Sequence, residues 1–406
     1  MQKFEKHSPV VVTEVTTKHE LRQFMQHPNR LYADNPNYIP SFYGDDLSDW
    51  TPGKNPAFDY CEARCWLARR DGEIVGRIGA ILSHKANDKF GTHRMRFSQV
   101  DFVDDSEVSA ALFGTVERWA REKGCDQVHG PLGFTDMDRE GMLVEGFDRR
   151  SLFFTNYNAP YYLEHLTRLG YRKDVDWIEY RITVPEPGGA EAERLHKLSE
   201  FILKRKHLHV ATVHHKSEYG PFVRQVFELV NAAYAPLYGV VELSDEQIER
   251  YANKFIPLVD PDFVCFVVDE QDQLVAFGVT ALDPSVALKH SDGRLFPFGW
   301  AGVLNDLHHS DTLIMLLTAV RPDLQTEGIN AVMMDHVCQS CNRHGVRFAE
   351  TGPMLELNDH ILAQWKRLEK EQHKRRRCFI KDLDHDVNAA NAAAAQTETP
   401  ETESAE

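Results

Sequence analysis

The sequence predicts a mixed α/β fold in which helices pack on a mixed sheet and the chain is built from two similar halves. From about residue 190 the pattern gives helix, helix, three strands, helix, strand, helix and strand, which is not a regular strand-helix alternation. Residues 66–82 align with 266–282 at an offset of 200 residues. A Gly-Pro pair follows the same helix and strand in both halves, at 130–131 and 352–353. These observations indicate an internal duplication.

The elements of the first half are predicted from short local patterns. Residues 66–82 (WLARRDGEIVGRIGAIL) predict an antiparallel hairpin, because two apolar runs flank an Asp-Gly turn at 71–72. Apolar residues from Val108 to Trp119 recur at helical spacing. They predict a helix that ends before Gly124.

The second half repeats this order. Residues 263–268 and 274–281 are apolar runs joined by a polar turn, which is typical of an antiparallel hairpin. Residues 313–320 are continuously apolar and predict a fully buried central strand. Apolar residues at spacings of three and four over 329–341 predict a helix that stops at Gly345.

Composition changes suggest where the halves meet. Residues 185–189 (PEPGG) are typical of a link. The expected domains are therefore residues 1–187 and residues 188–385. Residues 386–406 are mostly Ala, Thr and Glu without aromatic side chains, and we expect a disordered tail.

The composition excludes several classes of protein. Of the 406 residues, 42% are hydrophobic and 27% charged, as in a folded globular protein. The net charge of -16 argues against broad nucleic-acid binding, so we expect no nucleic-acid partner. The sequence has no run of ~18 apolar residues and no apolar block at its start, so a cytoplasmic protein is expected.

The cysteines predict neither disulfides nor a metal site. The seven cysteines are scattered, which does not suggest a disulfide framework. Cys338 and Cys341 form a lone pair within a helical pattern, whereas a zinc site needs about four ligands. We therefore expect no metal.

One segment carries the pattern of a phosphate-binding turn. Residues 320–331 (VRPDLQTEGINA) lead from an apolar strand through a turn into a helix. Unpaired N–H groups at a helix start bind anionic oxygens, and Gly328 lets the backbone approach closely. An ordinary strand-to-helix turn would give the same pattern. The candidate cofactor-binding residues of this segment are Val320, Gln325, Thr326, Gly328, Ile329 and Asn330.

This segment resembles the phosphate loop of the GNAT acyltransferases, which reads Q/R-x-x-G-x-G/A and holds the pyrophosphate of CoA. Gln325 and Gly328 match it, while Asn330 replaces the last Gly or Ala. The resemblance implies two tandem GNAT-like domains that use acyl-CoA as co-substrate. It also implies that Asn358 lies near the pantetheine arm. The Tyr that commonly protonates the CoA thiolate is replaced by Trp365.

The first half resembles one bacterial branch of tandem GNAT proteins, which includes the bacterial ceramide synthases. The similar segments are 29–32 (NRLY), 54–56 (KNP), 75–80 (VGRIGA), 130–131 (GP), 141–148 (GMLVEGFD) and 157–162 (YNAPYY). In this half the phosphate loop is replaced by acidic residues at 104–107, which suit helix capping but repel a pyrophosphate. We therefore expect that the first half has lost CoA binding.

An amine that attacks a thioester must lose a proton, so a base is expected near the strand at 346–350. Glu350 at its end is the first candidate. Segment 134–148 is rich in Asp, Glu and Gly and is interpreted either as the wall of the acceptor site or as a solvated loop. The candidate catalytic residues are Glu350, Glu356, Asp136 and Tyr157. A backbone N–H at the end of strand 313–320 is expected, from the resemblance, to meet the oxyanion.

Residues 366–377 form a basic run in an acidic chain. It is interpreted as a solvated helix and turn, or as a contact for CoA phosphates or anionic lipid headgroups at the inner membrane surface. The predicted function is transfer of an acyl group from CoA to a primary amine, with a sphingoid long-chain base as the best candidate. The alternatives are a small-amine acetyltransferase, an aminoacyl-tRNA-dependent transferase and a CoA-binding pseudoenzyme.

Overall fold

The structure is a computed structural model that describes residues 8–383. The predicted hairpins, central strand and crossover helices occur in the predicted order, and the structure adds short elements, among them two helices between 285 and 309 that the pattern does not predict. The elements of the first half are β1 (Val11–Glu14), α1 (Lys18–Leu31), α2 (Tyr43–Asp49), β2 (Cys61–Arg70), β3 (Glu73–Ser83), α3 (His84–Phe90), β4 (Arg94–Phe102), α4 (Ser106–Glu122), β5 (Gln127–Gly130), β6 (Met142–Glu145), α5 (Tyr161–Arg168) and β7 (Arg172–Thr183).

The second half begins after an irregular stretch that includes the predicted link. Its elements are α6 (Ala190–Lys206), β8 (His209–Val210), α7 (Gly220–Tyr234), α8 (Asp245–Phe255), β9 (Val264–Val268), β10 (Leu274–Leu282), α9 (Ser285–His290), α10 (Gly299–His309), β11 (Thr312–Val320), α11 (Asn330–His344), β12 (Phe348–Glu350), β13 (Met354–Leu355), α12 (Asp359–Ala363) and β14 (Lys370–Asp382). The predicted tail, 386–406, lies outside the described residues.

The predicted hairpins and the duplication are both confirmed. The β2–β3 hairpin closes at Asp71 and Gly72, whose positive φ values of 52° and 84° are those of a tight two-residue turn. The β9–β10 hairpin is its counterpart. In each half a helix then connects two parallel strands, β4 to β5 through α4 and β11 to β12 through α11. The mixed α/β fold class is therefore confirmed.

Each half has its core between the sheet and its long crossover helix. The predicted apolar face of α4 is buried, and Val108, Leu112 and Val116 pack with the phenylalanines of β4. In the second half Val332 and Met333 of α11 belong to a cluster with residues of β9 and β10. The helix ends at Gly345, with φ 72°, as predicted.

The 14 strands of residues 8–383 belong to one sheet, and the two halves exchange their last strands. The main order is β1-β2-β3-β4-β5-β14-β7-β12-β11-β10-β9-β8, with β6 paired to β14 and β13 paired to β7. The last strand of the second half, β14, lies beside β5 of the first half. The last strand of the first half, β7, lies beside β12 of the second half. Each half is therefore completed by a strand of the other.

The predicted domain boundary at 187/188 lies between β7 and α6. Whether each half forms a separate unit stays a prediction, since a cut at this point would separate β7 and β14, which pair from Arg172 to Ile182. No helix within residues 8–383 has both the length and the apolar character needed to cross a membrane.

The basic run at 366–377 is not a solvated helix and turn, and that prediction is wrong. Most of it forms β14, and the side chains of Lys374 and Arg376 are completely buried. Both pair with the buried Glu179 of β7, at 3.1 Å from Lys374 Nζ and 2.5 Å from Arg376 Nε. Burial alone would raise the pKa of Glu179, but the two cations outweigh it and lower the pKa to about 2. These cations therefore join strands and do not face a lipid.

We expect Lys374→Met to destabilise the protein strongly, because it leaves Glu179 with only one of its two buried cations. Breaking a buried ion pair in this way costs about 3–5 kcal/mol of unfolding free energy. Chemical denaturation followed by circular dichroism would measure it. Lys366→Met, an exposed position in the same run, is the control and should change stability little. Equal effects of the two substitutions would contradict the assignment.

Candidate active site

A cleft opens where β11 separates from its neighbour. β11 pairs in parallel with β12 over only three residues, 312–314 against 348–350. Residues 315–318 are half-buried, although both ends of the strand are buried. The prediction of a fully buried strand is therefore wrong for its middle, because the adjacent strand has diverged there.

β11 also carries a bulge at this point. Its register against β10 shifts so that Val279 pairs with Leu317 and Thr280 pairs with Met315. Leu316 is left without a partner, and a bulge of this kind takes one residue out of the hydrogen-bonded ladder. From the resemblance, the backbone N–H that meets the oxyanion is expected at the end of this strand. The bulge lies instead at its middle.

A cavity of about 780 Å³ adjoins the diverging strands. Its wall is formed by the end of β11, the start of α11, the segment around α12 and, from the first half, the start of β7. Four of the predicted cofactor-binding residues line it: Val320, Gln325, Asn330 and Asn358. Pattern and resemblance thus led to side chains that meet at one cavity.

The turn before α11 leaves the start of that helix accessible. α11 begins at Asn330 without a side-chain cap. The N–H groups of Ala331 and Val332 donate to the carbonyl oxygens at 328 and 329 at 2.9 Å, whereas the N–H groups at 328–330 have no acceptor within residues 8–383. Gly328 is exposed and has φ 81°, a conformation that favours glycine. Gln325 Nε2 donates to the carbonyl oxygen of Val320 at 3.3 Å and holds the turn against the strand. The helix start can therefore bind an anion.

The remaining residues of this turn have different roles. Thr326 is exposed, whereas Ile329 is buried in the core, so only the backbone of Ile329 can reach a ligand. Sequence analysis missed the basic last turn of α6, residues 204–206, which lies beside the turn. Lys206 Nζ is 2.6 Å from Glu327 Oε2 and holds the pKa of Glu327 below its usual range. Lys206 and Glu327 lie far apart in the sequence, so no local pattern predicts their contact.

Asn358 and Trp365 end the second-half part of the site. Asn358 Oδ1 caps α12 by accepting from the N–H of Ile361 at 3.3 Å, while the residue also lines the cavity. Trp365 is buried and its Nε1 lies 3.1 Å from Met354 Sδ. Its side chain belongs to the core and is not placed to donate a proton to a thiolate.

The corresponding helix start of the first half is capped by a side chain, and loss of CoA binding there stays a prediction. Asp105 caps α4 by accepting from the N–H of Glu107 at 2.9 Å. Arg70 pairs with both carboxylates, at 2.6 Å from Asp105 and 2.7 Å from Glu107. Side chains already satisfy the groups that a pyrophosphate would need.

Segment 134–140 of the first half packs against the second half. Thr135 Oγ1 is 2.7 Å from the hydroxyl of Tyr251 in α8, and that hydroxyl donates to Asp138 at 3.3 Å. Met137 contacts the apolar cluster that includes side chains of α7 and β11. The segment therefore lies between the halves and is not a solvated loop. None of its residues lines the 780 Å³ cavity, so its role as the wall of the acceptor site stays a prediction.

Asp136 has the properties of a base that works near neutral pH. Burial, followed by the charge of Asp138, raises the pKa of its carboxyl to about 6. No side chain within residues 8–383 donates a hydrogen bond to this carboxylate or forms a salt bridge with it. Burial and then the charge of Asp136 raise the pKa of Tyr234, a residue that lines the cavity and whose hydroxyl donates to the carbonyl oxygen of Thr318 at 2.8 Å. Asp136 itself does not line that cavity.

Glu350 and Glu356 are instead engaged in ion pairs. Glu350 Oε2 is 3.3 Å from Lys374 Nζ, and Glu350 does not line the cavity. Glu356 Oε1 is 2.5 Å from Lys173 Nζ, and its Oε2 is 3.2 Å from Arg375 Nη1. A catalytic role for either stays a prediction, and these contacts favour a structural one.

Tyr157 lies in the core of the first half. Its hydroxyl accepts from Asn35 Nδ2 at 2.7 Å and donates to the carbonyl oxygen of Phe147 at 3.2 Å. Its ring packs against those of Tyr32 and Tyr38. Both hydrogen-bonding capacities are used, so the contacts favour a structural role, and a catalytic one stays a prediction.

Tyr238 is a cavity residue that sequence analysis missed. Its hydroxyl is 2.5 Å from Asp174 Oδ2, 2.9 Å from His129 Nδ1 and 3.5 Å from Cys378 Sγ. The potential ligand atoms of these three residues lie within 4.8 Å of one another, and side chains of all three types can bind a metal. The tyrosine hydroxyl hydrogen-bonds each of them and joins the second half to β5, β7 and β14. A single tyrosine between helices gave no sequence signal.

Comparisons with known proteins identify relatives of this chain. No protein-family model matches the chain. The chain is 27% identical over 372 residues to Protein YghO of Escherichia coli (strain K12), covering 90% of this chain and 94% of the relative. It is 28% identical over 300 residues to a bacterial ceramide synthase of Caulobacter vibrioides (strain NA1000 / CB15N), covering 72% and 75%.

Solved structures show the same fold. A tandem GNAT protein from the clavulanic acid biosynthesis pathway superposes with a TM-score of 0.52 at 14% identity, covering 92% of this chain and 99% of its own. A GCN5-related N-acetyltransferase from Sphaerobacter thermophilus has a TM-score of 0.50 at 13% identity, covering 93% and 97%. Together with the curated relatives, they support a GNAT-type N-acyltransferase. The chain has the tandem GNAT fold and is related to the bacterial branch that includes a bacterial ceramide synthase.

Proposed function

We propose that the protein is an acyl-CoA-dependent N-acyltransferase that acylates the primary amine of a sphingoid long-chain base. The observation that carries the proposal is the cavity beside β11. It joins an uncapped helix start in the second half to Asp174 and Val175 of the first half. Tyr234 on its wall is close enough to Asp136 to feel the charge of that unpaired carboxylate, which would act from behind the wall.

Acyl-CoA would bind along the second half. The backbone at the start of α11 would hold the pyrophosphate, and the cations at 204–206 would add favourable charge next to it. Gln325, Asn330 and Asn358 offer amide groups on the cavity wall. The pantetheine arm would follow β11 toward the bulge at Leu316.

The reaction needs a proton acceptor for the amine and a donor for the oxyanion. Asp136 would accept the proton that the attacking nitrogen loses as the new C–N bond forms. A backbone N–H near the bulge would donate to the thioester oxygen. The C–S bond then breaks, and the thiolate leaves without an acid, because a thiol of pKa ~8.5 is an adequate leaving group. Trp365 in place of a tyrosine is compatible with this step.

A long-chain amine suits the cavity wall better than a small polar one. Leu355, Leu357 and Ile361 line the cavity beside the predicted pantetheine residues. Each methylene of an alkyl tail that these side chains cover contributes ~0.8 kcal/mol to binding. A relative that is a bacterial ceramide synthase supports the same acceptor class. Such a substrate also implies peripheral contact with the inner membrane surface.

We expect Gly328→Trp to abolish CoA binding that isothermal titration detects in the wild type. The new side chain would cover the start of α11, and a Cβ at this position already meets Ile202 Cδ1 at 3.2 Å. Gly345→Trp is the matched control, because it has a similar positive φ at the other end of the same helix with nothing within 4 Å. Equal CoA binding by all three proteins would refute the nucleotide site.

Release of free thiol, measured with sphingoid bases, amino sugars and amino acids as acceptors, tests the acceptor. Turnover with sphingoid bases supports the proposal. Turnover with small amines alone makes the protein a small-amine acetyltransferase, and CoA binding without turnover makes it a pseudoenzyme. Transfer from charged tRNA would favour the aminoacyl-tRNA alternative, whose basic face is reduced because Lys374 and Arg376 of β14 are buried.

A further inference from the structure

The segment between β10 and β11 exposes an unusual set of apolar side chains. Of the eleven large apolar side chains that are exposed in residues 8–383, five lie within 286–304. Phe296 and Phe298 are 82% and 80% exposed, so both rings project from the surface. Single exposed apolar residues are common, whereas a cluster marks an interaction surface. This aromatic tip consists of Val286, Phe296, Phe298, Trp300 and Leu304.

The aromatic tip rests on a well-packed base. On the opposite face of the same helices, Leu288 and Val303 are buried in a cluster with first-half residues of the α1–α2 region. The N–H of Tyr43 donates to the carbonyl oxygen of Gly293 at 3.0 Å, and Asn29 Nδ2 donates to that of Asp292 at 3.1 Å. The exposed rings are therefore held outward by a fixed backbone.

From this arrangement we infer that the aromatic tip inserts into the headgroup region of a lipid bilayer. Taking ~200 Å² per aromatic side chain, the three exposed rings offer roughly 400 Å². A stable protein interface buries about 800 Å² per partner, so the tip is small for a protein or a second copy. Projecting Phe and Trp side chains suit the boundary between headgroups and acyl chains.

The charge around the aromatic tip agrees with a bilayer. In a chain of net charge -16, residues 284–310 contain two Lys or Arg and two Asp, so this segment is neutral. Arg294 is exposed, stacks over the ring of Tyr43 at 4.9 Å and has no salt bridge within residues 8–383. An unpaired Arg beside inserted rings can contact a lipid phosphate.

The position of the tip fits delivery of a lipid amine, a point that rests on the proposed function. The aromatic tip precedes β11, and the phosphate-binding turn follows it. A strand rises about 3.3 Å per residue, so β11 separates the two by roughly 30 Å. The bilayer would meet the enzyme at the end opposite the CoA nucleotide.

Co-sedimentation with vesicles of phosphatidylcholine, with and without phosphatidylglycerol, tests the inference. We expect the wild type to pellet with vesicles and the Phe296→Ser/Phe298→Ser double variant to lose about tenfold in bound fraction. Phe201→Ser is the matched control, because Phe201 is also exposed, at 58%, but lies on α6 away from the aromatic tip. CoA titration of each variant reports whether the fold is intact.

Two results would overturn the inference. One is a wild type that stays in the supernatant with every lipid mixture. The other is a dimer of the wild type, seen by sedimentation velocity without lipid, that only the double variant loses. Acyl transfer to a water-soluble amine separates this inference from the proposed function: transfer without vesicle binding refutes only the bilayer contact, and vesicle binding without CoA binding refutes only the enzyme.

Discussion

Asp136→Asn is expected to lower the turnover of acyl-CoA and amine by about 10²–10⁴, the usual contribution of a general base. Affinity for CoA should stay unchanged, because the nucleotide residues belong to the second half. The substitution keeps the shape of the side chain and removes its ability to take a proton. A thiol-release assay at saturating acyl-CoA, combined with calorimetric titration, measures both quantities.

The same base predicts the pH dependence. A carboxylate accepts a proton only when it is ionised, and the pKa of Asp136 is raised to about 6. The wild-type rate should therefore increase as pH rises through about 6 and then level off. The rate of Asp136→Asn should lack this step. A wild-type rate that stays constant from about pH 5 to about pH 7 would contradict the assignment.

Glu350→Gln is the matched control for this experiment. It also converts a carboxylate to an amide, but Glu350 pairs with Lys374, whereas Asp136 has no such partner within residues 8–383. We expect near wild-type turnover together with a lower thermal unfolding temperature. If Glu350→Gln were inactive and Asp136→Asn active, Glu350 would be the base.

A chain that stops before Lys370 is expected to lose its cooperative fold. This truncation removes β14, which lies between β5 and β7 and also pairs with β6. The sheet would be cut at its centre, and the completely buried carboxylates of Asp176 and Glu179 would lose their cationic partners on β14. At about 3–5 kcal/mol for each carboxylate, this loss is comparable with the 5–15 kcal/mol that typically holds a domain folded. Circular dichroism during heating is the measurement.

A chain that stops after residue 385 is the control and should unfold as the full chain does. A second truncated chain, residues 1–187 alone, tests the predicted boundary. It contains β7 but no strand to pair with β5, so we expect no cooperative transition. A sharp transition near that of the full chain would show that the first half folds independently of the exchanged strand.

Patterns confined to short segments predicted the structure well. The Asp-Gly turn at 71–72 and the apolar face of α11 depend on neighbours in sequence, so their geometry follows from local chemistry. Gln325 and Asn330 were predicted together and line the same cavity for a similar reason. The strand, turn and helix to which they belong are contiguous in the sequence. Asn358 came from the resemblance and not from any local pattern.

The errors arose where distant segments determine the environment. The basic residues at 374–377 are expected from the sequence to face solvent. The carboxylates that neutralise them, Asp176 and Glu179, lie on β7, far away in the chain. The middle of β11 is only half-buried because β12 diverges from it. A sequence window limited to β11 contains no information on β12. Tyr234 and Tyr238 were not predicted as cavity residues, because a single tyrosine forms no recognisable sequence motif. The unpaired burial of Asp136 is likewise visible only in three dimensions.

The exchanged strands also determine the order in which the protein can fold during synthesis. β5 ends at Gly130, yet the strand that covers its edge starts at Lys370. Until the ribosome has added β14, the first half carries an unpaired central edge that other nascent chains can pair with. The two halves therefore cannot mature one after the other. We expect chaperones that bind open strand edges to matter more for this chain than for a protein whose repeats each complete their own sheet.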